Sequence, residues 1–345
     1  MSKVSISDVR VAPLVETQWG QSWYHDCKGK RQACFNYYMP PFEPGDANNY
    51  PAGCVAIAMA QVMRYHQHPA TGIGKHRFTI KVDDVEQTAS TRGADGNGGA
   101  YSWDLMVSKP DCSTTLEQRQ AIGALCYDAS IAVKTEYSSG GSSASTWAAT
   151  EALKNVFKYS NTVRGYDWDP VNRTLRNIGS GLNGMVNPNL DANNPVILAI
   201  SQIEKGGGHA VLCDGYGYNS STLYHHLNMG WYGKHNVWYN LPAVDCNNPG
   251  SYDTITECIY NIFISDSGEI ISGRVINKEG KPVRNALVAA QGSGGPYTAL
   301  TNSNGIYALK CLDSDSTYTI TVTKRGYNFT PQAVTTEKSR NGNNV

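Results

Sequence analysis

Tyr50-Pro51-Ala52-Gly53-Cys54-Val55-Ala56-Ile57-Ala58-Met59-Ala60-Gln61-Val62-Met63-Arg64-Tyr65 is the stretch on which the reading of this chain turns. Pro51 and Gly53 mark a turn, and strong helix formers follow them. The pattern predicts a helix whose first turn carries Cys54. Unpaired N–H groups and the positive dipole end at that position favour a thiolate. The helix is apolar nearly all round, so it is expected inside a domain rather than on its surface. A free cysteine in such a helix is most often a small core residue. Gly53 argues for more, because it leaves room for a substrate backbone beside the sulfur. A nucleophile on a rigid buried helix is how a cysteine hydrolase is built.

A partner is found in Gly206-Gly207-Gly208-His209-Ala210-Val211-Leu212-Cys213-Asp214-Gly215-Tyr216. Three glycines open the segment, Ala210 to Cys213 reads as a buried strand, and Asp214-Gly215 reads as its end. His209 at the start of that strand, behind a glycine loop, is placed to reach a site. Cysteine and histidine far apart in sequence and close in space is the pattern of nucleophile and base. A third segment, Tyr224-His225-His226-Leu227-Asn228-Met229-Gly230-Trp231-Tyr232-Gly233, offers Asn228 to orient the imidazole and Trp231 to cover that contact. Upstream, Thr17-Gln18-Trp19-Gly20-Gln21-Ser22 offers an amide to an oxyanion, with the Cys54 N–H as the second donor.

Together these segments resemble the streptopain family of papain-like cysteine peptidases, from about Pro13 to Phe263. The resemblance is carried by Trp19-Gly20-Gln21, Gly53-Cys54-Val55-Ala56, Ala58 to Met63, Tyr65-His66 with Pro69, and Tyr101-Ser102-Trp103-Asp104. It continues in Tyr137-Ser138-Ser139-Gly140 with Ser142 to Ala144, Gly207-Gly208-His209-Ala210 and Asn228 to Gly233, all in the family's order. It implies Cys54 as nucleophile, His209 as general base and Gln21, rather than Gln18, as oxyanion donor. It also implies an endopeptidase that prefers an apolar residue two positions before the cut bond. The family usually reads Asn-Trp-Gly-Trp where this chain has Asn228-Met229-Gly230-Trp231. Methionine is apolar and flexible, so shielding of His209 is expected to survive. Whether Asn228 or the surrounding packing orients His209 stays open. Family members are made as zymogens. This chain begins a few residues before the mature-type start, so signal and pro-segment are expected to be absent from it.

Composition agrees with that reading. The chain has 345 residues, enough for two or three domains. Lys+Arg and Asp+Glu each number 29, and a neutral chain offers nothing to nucleic acid or an anionic membrane. No apolar run reaches the length of a membrane span. Met1-Ser2-Lys3-Val4 has no apolar signal core. The nine cysteines leave an even number once Cys54 is set aside. Cys27 with Cys34, Cys246 with Cys258, and Cys112 with Cys126 are candidate pairs, and Cys213 is expected to be a buried thiol. Cysteine-rich loops fit an oxidising, extracellular setting. No Cys-x-x-Cys pair or finger-spaced ligand cluster occurs, so no metal or cofactor is expected. His66 and His68 read as solvated residues ending the Cys54 helix. A calcium site in loops such as Asp83-Asp84 or Asp95 to Gly98 stays open, although no ligand array there has convincing spacing.

The expected organisation is α+β. Residues 1–267 form a papain-like domain with a helical lobe and an antiparallel β lobe, Cys54 and His209 facing each other across a cleft. Helices are predicted over Leu116 to Asp128 and Ser145 to Tyr159, strands over Pro195 to Ser201, Ala210 to Cys213, Thr222 to Leu227 and Ile259 to Ile264. Asp83 to Ala100 reads as a long exposed loop. Ser138, Ser139, Gly140 and Gly207 are candidates for the cleft walls, with Gly53, Gly208, Met229 and Trp231 in support. Residues 268–335 read as a small β-sandwich. Gly273-Arg274-Val275, Gly280-Lys281-Pro282-Val283 and Thr301 to Tyr307 resemble carboxypeptidase regulatory-like, immunoglobulin-like domains. Residues 336–345 read as a disordered tail. The function expected is a secreted cysteine endopeptidase acting on proteins or peptides through a thiolate–imidazolium pair and a thioester. A pro-segment or protein inhibitor would restrain it. Its rivals are a papain-like amidase acting on cell-wall peptides and a catalytically inactive adhesin.

Overall fold

The computed structural model describes residues 5–202, 207–246 and 250–336. Gly206 of the glycine run and the tail beyond Thr336 lie outside the described residues. Helix α1 spans Cys54–His66. Gly53 stands before it at φ 88°, a left-handed conformation that glycine adopts without strain. The chain thus turns sharply and delivers Cys54 directly into the first turn. Every residue from Val55 to Met63 is buried, as the all-round apolar pattern requires. Helix α2, Leu116–Ala132, opens with a reciprocal cap: the Gln118 N–H donates to Thr115 Oγ1 at 3.3 Å and the Thr115 N–H to Gln118 Oε1 at 2.9 Å. Helix α3 is Ala148–Asn155 and α4 is Leu182–Asp191.

Eight strands form the main antiparallel sheet. Across it run Val237–Tyr239, Thr222–Asn228, Gly208–Asn219, Val196–Ser201, Thr254–Phe263, Asn161–Asp169 and Thr174–Arg176. Asp8–Val11 adds to the far half of Gly208–Asn219. One face packs on α1, through Ile197, Ala210, Leu212 and Ile259. The other packs on α4, through Val196, Leu198, Val211 and Cys213. Cover on both faces explains why Ala210 to Cys213 reads as an unbroken apolar run.

Several expectations are corrected here. The histidine strand does not stop at Asp214-Gly215 but runs on to Asn219, with a bulge between Cys213 and Gly215. Asp214 at the bulge is fully buried; it accepts the Val15 N–H at 3.0 Å and lies 2.6 Å from His226 Nδ1. Asp83 to Ala100 is not a loop throughout. Arg77–Val82 and Val85–Ser90 form a hairpin turning at Asp83-Asp84, both with positive φ. Its second strand exposes most of its side chains, so no apolar alternation betrays it. His66 is half-buried, its Nδ1 3.2 Å from Tyr159 Oη, and burial lowers its pKa to about 4.

The bridge among the described cysteines joins Cys27 to Cys112, with Cα atoms 4.7 Å apart. Cys34, Cys126, Cys246 and Cys258 are buried free thiols, because each nearer neighbour in sequence is carried into a core instead. The bridge ties the arm ahead of α1 to the segment leading into α2 across 85 residues. A loop of that size contributes about 4.6 kcal/mol through lost unfolded-state entropy. The Cys27→Ala/Cys112→Ala variant is therefore expected to melt roughly 10 °C lower, by calorimetry under non-reducing conditions.

The C-terminal part has its own core of Ile271, Val288, Leu309, Leu312, Tyr318 and Ile320. Tyr297–Leu300, Leu287–Gln291, Thr317–Thr323 and Gln332–Thr335 form one sheet, Glu269–Arg274 and Ile306–Leu312 the other. It is docked rather than free. Ser272 Oγ donates to Asp191 at the end of α4 at 2.7 Å, and the Asn304 amide donates to the carbonyls of Val9 and Arg10 at 3.2 and 3.0 Å.

Candidate active site

Cys54 stands where α1 begins and His209 where the Gly208–Asn219 strand starts, and the N–H of Ala210, directly after His209, acts on the Cys54 thiol. Cys54 is half-buried at the helix start. Burial pushes its thiol up; the backbone N–H groups of Ala210, Val55 and Cys54 itself pull the other way. The Ala210 contact matters most for placement, because Ala210 follows His209 directly.

His209 is buried, and burial lowers its pKa to about 4. Its Nε2 lies 2.7 Å from the Met229 carbonyl oxygen. A carbonyl only accepts, so Nε2 carries the hydrogen and Nδ1 of the neutral ring keeps its lone pair. The Trp231 ring stacks on the imidazole at 4.5 Å between centroids and 22° between planes. Tyr252 lies near-parallel to it at 6.3 Å.

Asn228 does not orient the imidazole. Its Nδ2 donates to the Thr17 carbonyl at 2.6 Å, and its Oδ1 accepts the Gly230 N–H at 3.1 Å. The orienting partner is instead the backbone carbonyl of Met229, whose side chain is fully buried in the core on the α4 side of the sheet. Loss of the family tryptophan at Met229 therefore leaves the hydrogen bond to His209 untouched, because a main-chain atom makes it.

Gln21 is brought to the start of α1 by its main chain: the Ala52 N–H donates to the Gln21 carbonyl at 2.8 Å. Its side-chain amide makes no hydrogen bond among the described residues. Glu136–Ser138 and Gly141–Ser143 form a hairpin, with Ser139 and Gly140 at its turn and Ser138 Oγ donating to the Gly141 carbonyl at 2.8 Å. The Ser142 carbonyl lies 3.3 Å from where a Cβ on Gly53 would stand, so this hairpin flanks the residue before Cys54. Gly207 has φ 112°, and Gly208 pairs with Ser201 at the strand start. Sequence reasoning missed the Met229 carbonyl, Tyr252 and the Ala210 N–H. Two of these are main-chain groups, which leave no mark in residue identity.

The class is set by comparison as well as by geometry. The model of the peptidase C10 family, the streptopain family of cysteine peptidases, matches residues 30–239, and the carboxypeptidase regulatory-like domain matches residues 270–344. The chain belongs to the peptidase C10 family. The arm carrying Gln21 lies ahead of the matched span. Thiol protease/hemagglutinin PrtT of Porphyromonas gingivalis is 29% identical over 244 residues, covering 71% of this chain and 26% of that protein. Streptopain of Streptococcus pyogenes is 24% identical over 254 residues, covering 70% of this chain and 58% of that protein. The chain thus spans about a quarter of the first relative and 58% of the second. Among solved structures, active interpain A cysteine protease of Prevotella intermedia shares the fold, with a TM-score of 0.59 at 23% identity over 76% of this chain and all of that one.

Proposed function

We propose that the chain is a cysteine endopeptidase in which Cys54 attacks the peptide carbonyl and His209 takes and returns the proton. The observation that carries this is that the Ala210 N–H, directly after His209, is near enough to lower the Cys54 thiol, and that Tyr252 feels Cys54 and lies along the imidazole, whose Nε2 is already committed. The free lone pair on Nδ1 then accepts the thiol proton as the C–S bond forms. The Gln21 amide and the Cys54 N–H stabilise the oxyanion. His209 returns the proton to the leaving amine, and water resolves the thioester.

The resting charge state is assigned as neutral rather than as the thiolate–imidazolium pair expected from sequence. Burial disfavours both charges, so the pair rests as thiol and neutral imidazole, and charge develops as substrate excludes water. The hairpin at Ser138 to Gly141 and the Gly207-Gly208 strand start are assigned to opposite walls of a substrate cleft between a helical and a sheet lobe, as in papain-like enzymes. An apolar residue is preferred two positions before the cut.

The peptidase domain is assigned to residues 1–267 and the sandwich to 268–335. Secretion fits the bridge at Cys27–Cys112. No helix among the described residues is long and apolar enough to cross a membrane. A pro-segment as partner is supported by the solved prointerpain A fragment, which matches 76% of this chain.

An epoxide thiol inhibitor should label Cys54 alone among the cysteines, detected by peptide mass mapping, and abolish cleavage of denatured casein. Cleavage of peptidoglycan fragments but not casein would point to the amidase. Failure of Cys54 to react would point to the inactive adhesin.

A further inference from the structure

The turn from Asn228 to Tyr232 grips the arm that carries Gln21 at successive points. Asn228 Nδ2 donates to the Thr17 carbonyl at 2.6 Å. The Tyr232 N–H donates to the Trp19 carbonyl at 3.0 Å, and the Ser22 N–H to Tyr232 Oη at 3.2 Å. Gly20 lies so close to the Tyr232 ring that any side-chain carbon there would overlap it. Asn228 is itself fixed: it is buried, and its Oδ1 accepts the Gly230 N–H at 3.1 Å. From the other side the Ala52 N–H holds the Gln21 carbonyl. Gln21 is thus suspended between the start of α1 and this turn. The carbonyl that holds His209 has a separate support, since the Met229 N–H donates to Asn236 Oδ1 at 2.9 Å.

We propose that Asn228 is a positioning residue for the oxyanion arm and not for the imidazole, and that Asn236 supports the imidazole through Met229. This rests on the reading of Gln21, Cys54 and His209 given above. A triad asparagine acts on the base and moves the pH dependence of the reaction. An arm-holding asparagine acts on the oxyanion donor, so its effect vanishes once that donor is gone.

The test is a double-mutant cycle in the full chain, with active sites counted by epoxide labelling. Gln21→Ala is expected to lower kcat by about a hundredfold. Asn228→Ala is expected to lower kcat by about tenfold, since small misplacement of a donor is costly, with the acidic limb of the kcat/KM profile unmoved. The double variant should fall no more than about twofold below Gln21→Ala alone. Asn236→Ala should shift the acidic limb, and its effect should multiply with that of Gln21→Ala. Tyr232→Phe removes only the hydroxyl that takes the Ser22 N–H and covers the case in which Asn228→Ala does not fold; it should show the same loss of effect on the Gln21→Ala background. Multiplying effects of Gln21 with Asn228 or Tyr232, or a moved acidic limb in Asn228→Ala, overturns the positioning role alone. An unchanged kcat in Gln21→Ala overturns the reading of Gln21 and the positioning role with it.

Discussion

Cys54→Ala is expected to reduce peptide hydrolysis by roughly 10⁵-fold or more, to the level left by substrate binding and oxyanion donors acting on bound water. The size follows from what is removed. In the proposed mechanism the sulfur is the atom that forms the bond to substrate, and no other thiol replaces it. Cys34, Cys126, Cys213, Cys246 and Cys258 are buried, with burial raising each thiol, and Cys311 lies on the sandwich. The fold should be spared. Alanine keeps the helix propensity of the first turn of α1, and the side chain lost is small and only half-buried. The check is hydrolysis of denatured casein beside thermal unfolding of the same sample. Casein cleavage within tenfold of the parent, with unfolding unchanged, would remove Cys54 from the role of nucleophile.

What could be read from residues alone divides along a physical line. Helix α1 was legible because its signal is local: Gly53 and Pro51 stop one conformation, and a run of helix formers starts another. The apolar run from Ala210 to Cys213 was legible as buried for the same reason. Asp214-Gly215 misled because the dipeptide that ends a strand also suits a bulge inside one, and only the neighbouring strand decides between them. Helix α4 was not seen, since Asn187-Pro188-Asn189 reads as a turn; Pro188 is nonetheless buried within the helix beneath the main sheet. Val85–Ser90 was not seen because a hairpin strand exposed on both faces over most of its length, with few apolar residues, carries no period.

At the site, the residues that act through side chains left a sequence signal, and those that act through the main chain did not. Cys54 and His209 are named by chemistry and by their glycine neighbours. Asn228 carried the right residue type at the right place in the chain, yet its amide is spent on Thr17 and Gly230. The neighbouring carbonyl does the work assigned to it. That exchange is invisible in sequence because the carbonyl of any residue can take the imidazole hydrogen, whatever its side chain. It also accounts for Met229. A position that contributes a carbonyl and a buried apolar side chain admits methionine as readily as tryptophan, provided Trp231 still covers one face of the ring.

His209→Ala is expected to cost about 10⁴-fold or more in kcat/KM, because it removes both the acceptor of the thiol proton and the donor to the leaving amine. The parent's pH profile gives the sharper result. With the imidazole lowered by burial to about 4 and the Cys54 thiol raised, the proposed reactive form is thiol with neutral imidazole. Activity is then lost below the histidine pKa, as Nδ1 takes a proton, and lost again only above the raised thiol pKa. The kcat/KM plateau should therefore run from about pH 5 to beyond pH 9. A standing ion pair would set the opposite limits, the basic fall marking the imidazolium and lying below the thiol's ordinary range. Asn236→Ala offers a control within the same measurement: without the acceptor of its N–H, Met229 is held less firmly, its carbonyl interaction with the imidazole weakens, and that interaction raises the histidine pKa, so the acidic limb should move to lower pH. A basic limb falling near pH 8 in the parent would show that the charges are separated before substrate arrives, and would return the site to the ion-pair form.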